Sequence, residues 1–181
     1  MIGVTRFPPL TPDQPNYRPM SQFKPLPPLE ELKKAFEYDP DTGFFTHKTN
    51  RGHAQTGQTA GSTDSATGYV LLTFHRKKLK AHRVAWLFST GEDPAELEVD
   101  HEDLGRDHNW FGNLRLAAHG QNGVNTISKG WYRQRDRYTA CICIAGKKKN
   151  LGTYDTPEEA AYVFQQKHIE LHGKFSPYRT S

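Results

Sequence analysis

Eight of the twelve prolines in this 181-residue chain fall before Leu29, at Pro8, Pro9, Pro12, Pro15, Pro19, Pro25, Pro27 and Pro28. Proline fixes its own φ and removes a backbone donor, so this density excludes regular helix and favours extended or polyproline II backbone. Residues 1–28 therefore read as an arm, with disorder its simplest state. Regular structure must come from the rest of the chain, which suffices for one medium or two small domains.

The remaining sequence is punctuated clearly enough to place elements. From Leu29 a short amphipathic helix (Leu29, Leu32, Lys33, Phe36) runs into the turn Tyr38-Asp39-Pro40-Asp41-Thr42-Gly43 and the strand-like Phe44-Phe45-Thr46. A strand pair follows at Gly68–Phe74 and Lys78–Lys80. Ala81, Val84, Ala85, Leu87 and Phe88 recur at helical steps, predicting a helix over Ala81–Thr90 that Gly91 ends. Leu97-Glu98-Val99 reads as a strand leading to Asp100 and His101, and Asn113–Leu116 as its partner, which makes a hairpin with a long Asp-, Gly- and Asn-rich loop. After Ala117-Ala118 a short helix up to Thr126 would present Asn122 and Asn125, although Gly120 and Gly123 weaken it.

Charge narrows the function classes. The net charge is only +4, but Lys129 to Lys149 holds Lys129, Arg133, Arg135, Arg137, Lys147, Lys148 and Lys149 against the single acid Asp136. Arg76, Lys77, Lys78, Lys80 and Arg83 form a second basic run. Both suit a polyanion, and the arm adds Arg6, Arg18 and Lys24 among Phe7, Tyr17 and Phe23. Mean hydropathy is −0.80 and no apolar run approaches a bilayer-spanning length, which argues against a membrane role. No apolar stretch follows Arg6, so no secretory signal is expected. Cys141 and Cys143, the only cysteines, lie too close together for an ordinary bridge and read as free thiols.

Between the basic runs lies the chemistry. Asp100-His101, Asn113-Leu114-Arg115 and Gln121-Asn122 place a carboxylate, an imidazole and two amides at steps of twelve and nine residues. An imidazole can take a proton from water near neutral pH, and carboxylate and amide oxygens can hold a hard cation. Those are the parts of a site that hydrolyses phosphodiesters. In a regular strand Asp100 and His101 would point oppositely, so a shared centre requires an irregularity or strand end at Asp100. Other readings stay open at single positions. Asn113 could be a turn amide and Asn122 a residue of a helix start; His82 could pack or contact phosphate, and Arg83 reads as a DNA contact. His101, His108 and His119 could make a zinc site, but tetrahedral ligand spacing is missing.

The set His82-Arg83, Asp100-His101, Asn109, Asn113-Leu114-Arg115 and Gln121-Asn122 resembles the HNH endonucleases, particularly the phage and intron-homing members. The resemblance covers roughly residues 29–127 and includes the upstream Tyr38-Asp39-Pro40-Asp41-Thr42-Gly43 and Gly68-Tyr69 elements and the stretch His82-Arg83-Val84-Ala85-Trp86. It implies an α+β chain whose first domain has the ββα-metal (His-Me finger) fold. On that likeness His101 is the general base and Asn113 hydrogen-bonds and orients its ring. Asp100 and Asn122 hold one divalent cation, Mg²⁺ first and Mn²⁺ as the alternative, and Arg83 and Arg115 contact DNA. The family often carries an acid where this chain has His108, which leaves the loop conformation open. The substrate implied is double-stranded DNA, cut to 5′-phosphate and 3′-hydroxyl ends, and a phage-encoded chain would act in the host cytoplasm.

Thr156-Pro157-Glu158-Glu159 is a capping box with proline at the first helical position, predicting a helix from Pro157 to about His172 with Gly173 as its stop. His168 falls on its apolar side and reads as a packing residue. Tyr138, Ala140, Ile142 and Ile144 alternate as a buried strand face, with Thr139, Cys141 and Cys143 opposite. A three-stranded sheet covered by one helix fits. Gly130-Trp131-Tyr132-Arg133, Tyr138–Ile142, Leu151–Tyr154, Thr156–Ala161 and Leu171–Gly173 resemble the ethylene-response-factor type of DNA-binding domain. That likeness implies DNA reading by Arg133, Arg135 and Arg137, taken as sharing strand parity, and phosphate contacts from Lys147, Lys148 and Lys149; alternatively the lysines form a solvated hairpin tip.

The expected organisation is an arm (1–28), an HNH nuclease domain (29–127) and an ethylene-response-factor-like domain (128–181). With one site per chain a monomer nicks, and double-strand cleavage needs a dimer or sequential visits; the sequence leaves monomer or homodimer open. The competing reading is a non-enzymatic DNA-binding regulator on the same scaffold. An RNA-binding module is weaker, because the aromatics form no recognisable stacking motif.

Overall fold

The computed structural model describes residues 24–50, 52–118, 123–144 and 146–179. The chain divides into two compact units, one over Met20–Ala117 and another that takes Ala118–Ser181 together with Met1–Pro19. Both combine helix with antiparallel sheet, so the fold class is α+β. Most of the arm lies outside the described residues. Its last part runs extended, and the Leu26 backbone N–H donates to Asp93 Oδ2 at 2.8 Å.

In the first unit α1 spans Leu29–Ala35, with Glu30 and Glu31 in its first turn and Lys33 and Lys34 in its last, the arrangement that complements a helix dipole. Its buried Leu32 and Ala35 face a core of Phe36, Phe45, Leu72, Phe74, Val84, Leu87, Val99 and Leu114. Strands β1 (Phe36–Tyr38), β2 (Phe45–His47) and β3 (Thr59–Ala60) form one sheet, and β4 (Ser62–Thr63), β5 (Val70–Phe74) and β6 (Lys77–Lys80) another. The β5–β6 turn puts His75 and Arg76 at φ 47° and 64°, the doubly left-handed geometry of a tight hairpin. Helix α2 (Ala81–Thr90) buries Ala81, His82, Val84, Ala85 and Leu87, and ends at Gly91, whose N–H returns to the Leu87 carbonyl. The predicted helix and its stop coincide with these bounds.

Strands β7 (Glu98–His101) and β8 (Leu114–Ala117) then pair antiparallel, joined by the expected long loop that ends in a 3-10 turn at Phe111–Asn113. The irregularity expected at Asp100 does not occur. The ladder runs Glu98–Ala117, Val99–Leu116, Asp100–Arg115, His101–Leu114 without a shift, and His101 is simply its last residue. Asp100 and His101 therefore leave opposite faces of the strand, both of them buried.

In the second unit β9 (Trp131–Gln134), β10 (Arg137–Ile144) and β11 (Lys147–Tyr154) form a sheet with β10 in the middle, and α3 (Pro157–His172) packs mainly on β10. The predicted capping box is present: Glu159 N–H donates to Thr156 Oγ1 and Thr156 N–H to Glu159 Oε2. Gly130 is required, because a Cβ there would lie 2.0 Å from the Phe164 ring. The parity assigned to the arginines fails across the hairpin. A two-residue turn sets Gln134 opposite Arg137 and Arg133 opposite Tyr138, so Arg133 and Arg137 leave opposite faces, while Arg135 sits in the turn at φ 56°. Alternation also splits the lysines: Lys148 pairs with Cys143 on the face away from the helix, and Lys147 and Lys149 pair with Ile144 and Ile142.

His168 is a packing residue here, buried on α3 with Nδ1 2.9 Å from Ser176 Oγ. Burial, with His172 beside it, pushes its pKa down to about 4. An unfolded chain therefore takes up this proton first. Stability of the unit is full above about pH 6.5 and declines as pH falls from there to about 4. Thermal melts across this window should show a shallower decline for His168→Gln than for the wild type.

Candidate active site

The β7–β8 hairpin buries an unusual number of polar side chains: Asp100, His101, Asn109, Asn113 and Arg115 are between 2% and 7% exposed. Buried polar groups must be paired or their desolvation destabilises the fold, so their partners define the site.

His101 Nε2 lies 3.2 Å from Asn109 Oδ1. The Asn109 amide is oriented by its Nδ2, which donates to the Asp107 carbonyl at 3.0 Å and so leaves Oδ1 facing the imidazole. An amide oxygen only accepts. Nε2 consequently carries the proton and Nδ1 the lone pair. Burial lowers the His101 pKa, outweighing the opposing pull of Asn109, Asp100 and Asp103, so the ring is neutral at pH 7. Two aromatic neighbours hold its plane: His82 at 5.1 Å and 87°, and Tyr69 at 6.0 Å. His82 resolves toward packing; it is buried, its pKa is held well below 6.5 chiefly by burial, and its Nδ1 has no hydrogen-bond partner among the described residues.

Asn113 does not orient His101. Its Nδ2 donates to Asp103 Oδ1 (2.8 Å) and the His108 carbonyl (2.9 Å), and its Oδ1 accepts from the Asp103 N–H (3.1 Å). The residue closes the loop instead. His108, which stands where an acid was expected, pairs through Nδ1 with Asp103 Oδ2 at 2.6 Å. The ring lies over Gly105, where a Cβ would come within 2.2 Å of it. Hydrogen bonding to Asp103 raises the His108 pKa, and although burial pushes Asp103 upward, the bonds from His108, Gly105 and Asn113 leave its pKa lowered.

The Tyr38–Gly43 turn supports the same loop from beneath. Tyr38 Oη donates to the Asn109 carbonyl at 2.8 Å, and the Phe111 N–H donates to the Pro40 carbonyl. Burial pushes the Tyr38 hydroxyl up to about 12, which keeps it a donor. At Gly43, φ is +78° and a Cβ would meet Trp110 N at 2.3 Å, so only glycine lets the two backbones touch. Residue spacing alone gives this turn no role at the site. The likeness to the HNH endonucleases includes the turn, and the glycine that closes it is the residue whose lack of a side chain the contact requires.

Asp100 lies on the other face. Arg115 Nε and Nη2 donate to its Oδ2 at 2.9 and 2.6 Å, and Arg115 Nη1 is 3.9 Å from Glu102. Arg83 binds Asp93 Oδ1 (3.1 Å) and the carbonyls of Ala95 and Leu97, which fixes the approach to β7. Two arginines expected on DNA thus have internal partners. Asn122 and Gln121 lie outside the described residues, as does His119 of the alternative zinc set. Among the described residues no three His, Cys, Asp or Glu side chains converge. Asp100, the carboxylate expected to hold a cation, leaves β7 on the face opposite His101 and is bound there by Arg115.

Residues 79–124, which take in α2, the β7–β8 hairpin and the residues after it, match the family model for HNH endonuclease. Among relatives, the chain is similar to Protein 3.8 of Escherichia phage T7, 27% identical over 113 residues that cover 57% of this chain and 93% of that protein. It is also similar to an uncharacterized HNH endonuclease of Acanthamoeba polyphaga mimivirus, 30% identical over 105 residues, 55% of this chain and 56% of that protein. The chain thus spans about half the length of the mimivirus relative. No solved structure matches significantly.

Arg115→Ala removes the guanidinium whose Nε and Nη2 bind the buried Asp100 carboxylate. It should lower unfolding free energy by about 3–5 kcal/mol, measurable by urea denaturation. A loss under about 1 kcal/mol, the range of a surface pair, would show that Arg115 is not structural.

Proposed function

We propose that the chain is a metal-dependent DNA endonuclease with His101 as general base. The observation that supports it most is the His101–Asn109 pair, which leaves a neutral imidazole with its lone pair on Nδ1, inside a segment that matches an HNH endonuclease domain. Nδ1 takes a proton from water as the water oxygen attacks phosphorus, and the P–O3′ bond breaks to leave 5′-phosphate and 3′-hydroxyl ends. Asn109 is the orienting amide, in place of Asn113, and Asn113 keeps the loop closed around it. The likeness to the HNH endonucleases assigns one divalent cation, Mg²⁺ or Mn²⁺, to Asp100 and Asn122; holding it beside His101 would require the Asp100 carboxylate to leave the Arg115 guanidinium on the opposite face of β7. Bound there, it would stabilise the charge that develops on the phosphate.

The second unit is read as an ethylene-response-factor-like DNA-binding domain. Its face away from α3 carries Tyr132, Arg137 and Lys148, with Lys148 Nζ 4.2 Å over the Tyr132 ring, a face suited to nucleic acid. Arg137 also binds the Thr153 carbonyl and Asp155. Arg133 and Arg135 would serve at the hairpin end, with Lys147 and Lys149 at the β10–β11 tip. One active site per chain implies nicking by a monomer.

Purified protein should relax supercoiled plasmid with Mg²⁺ and leave it intact in chelator; full activity in chelator would remove the cation from the mechanism. His101→Ala should lower the rate by at least about 10²-fold with duplex affinity retained within a few fold, and loss of binding instead would contradict the assigned role. Asn109→Ala should cost about 10–100-fold in rate, the usual scale for an orienting partner. A rate equal to wild type would return the orienting role to another residue. Wild-type protein that binds duplex but never cuts it would favour the non-enzymatic regulator.

A further inference from the structure

With Arg83 and Arg115 in internal ion pairs, the charge that could meet the substrate beside His101 must come from elsewhere. Among the described residues, two cations converge on one aromatic ring near His101. Lys80, the last residue of β6, places Nζ 4.7 Å from the Tyr69 ring centroid; Arg106, from the β7–β8 loop, places its guanidinium carbon 5.3 Å from the same ring. That ring lies 4.9 Å from His82 and 6.0 Å from His101. Arg106 is anchored, since its Nη1 donates to the Thr67 carbonyl at 2.8 Å and its side chain runs over Gly68, where a Cβ would sit 3.6 Å from Arg106 Cδ. Both side chains are exposed, and neither has an acidic partner among the described residues.

From this geometry we propose that Lys80 and Arg106, held on the ring of Tyr69, form a clamp for a DNA backbone phosphate flanking the scissile one. Two like charges gathered at one ring repel. Each cation–π contact offsets only about 0.5–1 kcal/mol at an exposed site, and an anion between them would relieve the rest. Three elements supply the group: the segment before β5, the end of β6 and the loop that also carries Asn109. A phosphate held there would fix the strand relative to the imidazole. This inference deepens the nuclease reading of the same site and rests on it.

Binding of a duplex in chelator, where nothing is cut, tests the clamp apart from catalysis. Fluorescence anisotropy over a salt series should show log affinity falling with log salt less steeply in Lys80→Gln and Arg106→Gln, by up to about 0.9 for each phosphate no longer neutralised. The double variant should lose more than either single one and melt as the wild type does. Lys77→Gln, exposed on the same strand, should keep the wild-type slope. With Mg²⁺ present, the double variant should lose kcat/KM at least tenfold. A wild-type salt slope in the double variant would overturn the clamp, as would an equal loss in Lys77→Gln, which would indicate diffuse charge. If the slopes change as expected and the wild type does not cleave, the clamp stands as a DNA contact and the nuclease reading falls.

Discussion

The hairpin of β7 and β8 holds Asp100, His101, Asn109, Asn113 and Arg115 almost out of water, and the need to satisfy those groups organises the structure around them. An unpaired buried polar group costs roughly 1–3 kcal/mol, and a charge more. The loop therefore has few conformations open to it: Asn113 must reach Asp103 and the His108 carbonyl, Asn109 must reach the Asp107 carbonyl, and Arg115 must meet Asp100. Given those bonds, the position and tautomer of His101 follow. The Tyr38–Gly43 turn closes the arrangement from below through the Asn109 backbone.

The same accounting divides the basic residues by what they can do. Arg83 and Arg115 hold the hairpin and the segment that enters it. Lys80 and Arg106 are exposed at the ring of Tyr69, which itself lies 6.0 Å from the His101 ring. A positive charge in the sequence thus has two fates, and an acid within reach decides between them. In the second unit the hairpin turn between β9 and β10 does similar sorting, sending Arg133 and Arg137 to opposite faces.

Much of the local structure is legible because it depends on near neighbours. The bounds of α2 and α3 follow from apolar spacing, from Gly91, and from the capping box at Thr156 and Glu159. The β7–β8 hairpin, the three-stranded sheet and its covering helix are equally readable from alternation and turn residues. The departures share one origin. The likeness to the HNH endonucleases makes Asn113 the partner of His101, and strand alternation demands an irregularity or strand end at Asp100, whereas the strand runs regularly to His101 and Asn109, four residues before Asn113, reaches back to the imidazole. The arginine parity fails because alternation does not carry through a tight turn.

The sequence by itself determined the bounds of α2 and α3, the α+β class and the β7–β8 hairpin, since spacing, capping and turn residues act over a few positions, whereas Phe36, read as the end of the first helix, opens strand β1. Only the tertiary structure decided which amide holds His101, which arginines are consumed in ion pairs, and why the Tyr38–Gly43 turn belongs to the site. Those outcomes depend on distances between residues as far apart in the chain as Tyr38 and Asn109. A buried polar group takes whichever partner the packed fold brings within about 3 Å, and spacing along the chain does not specify it.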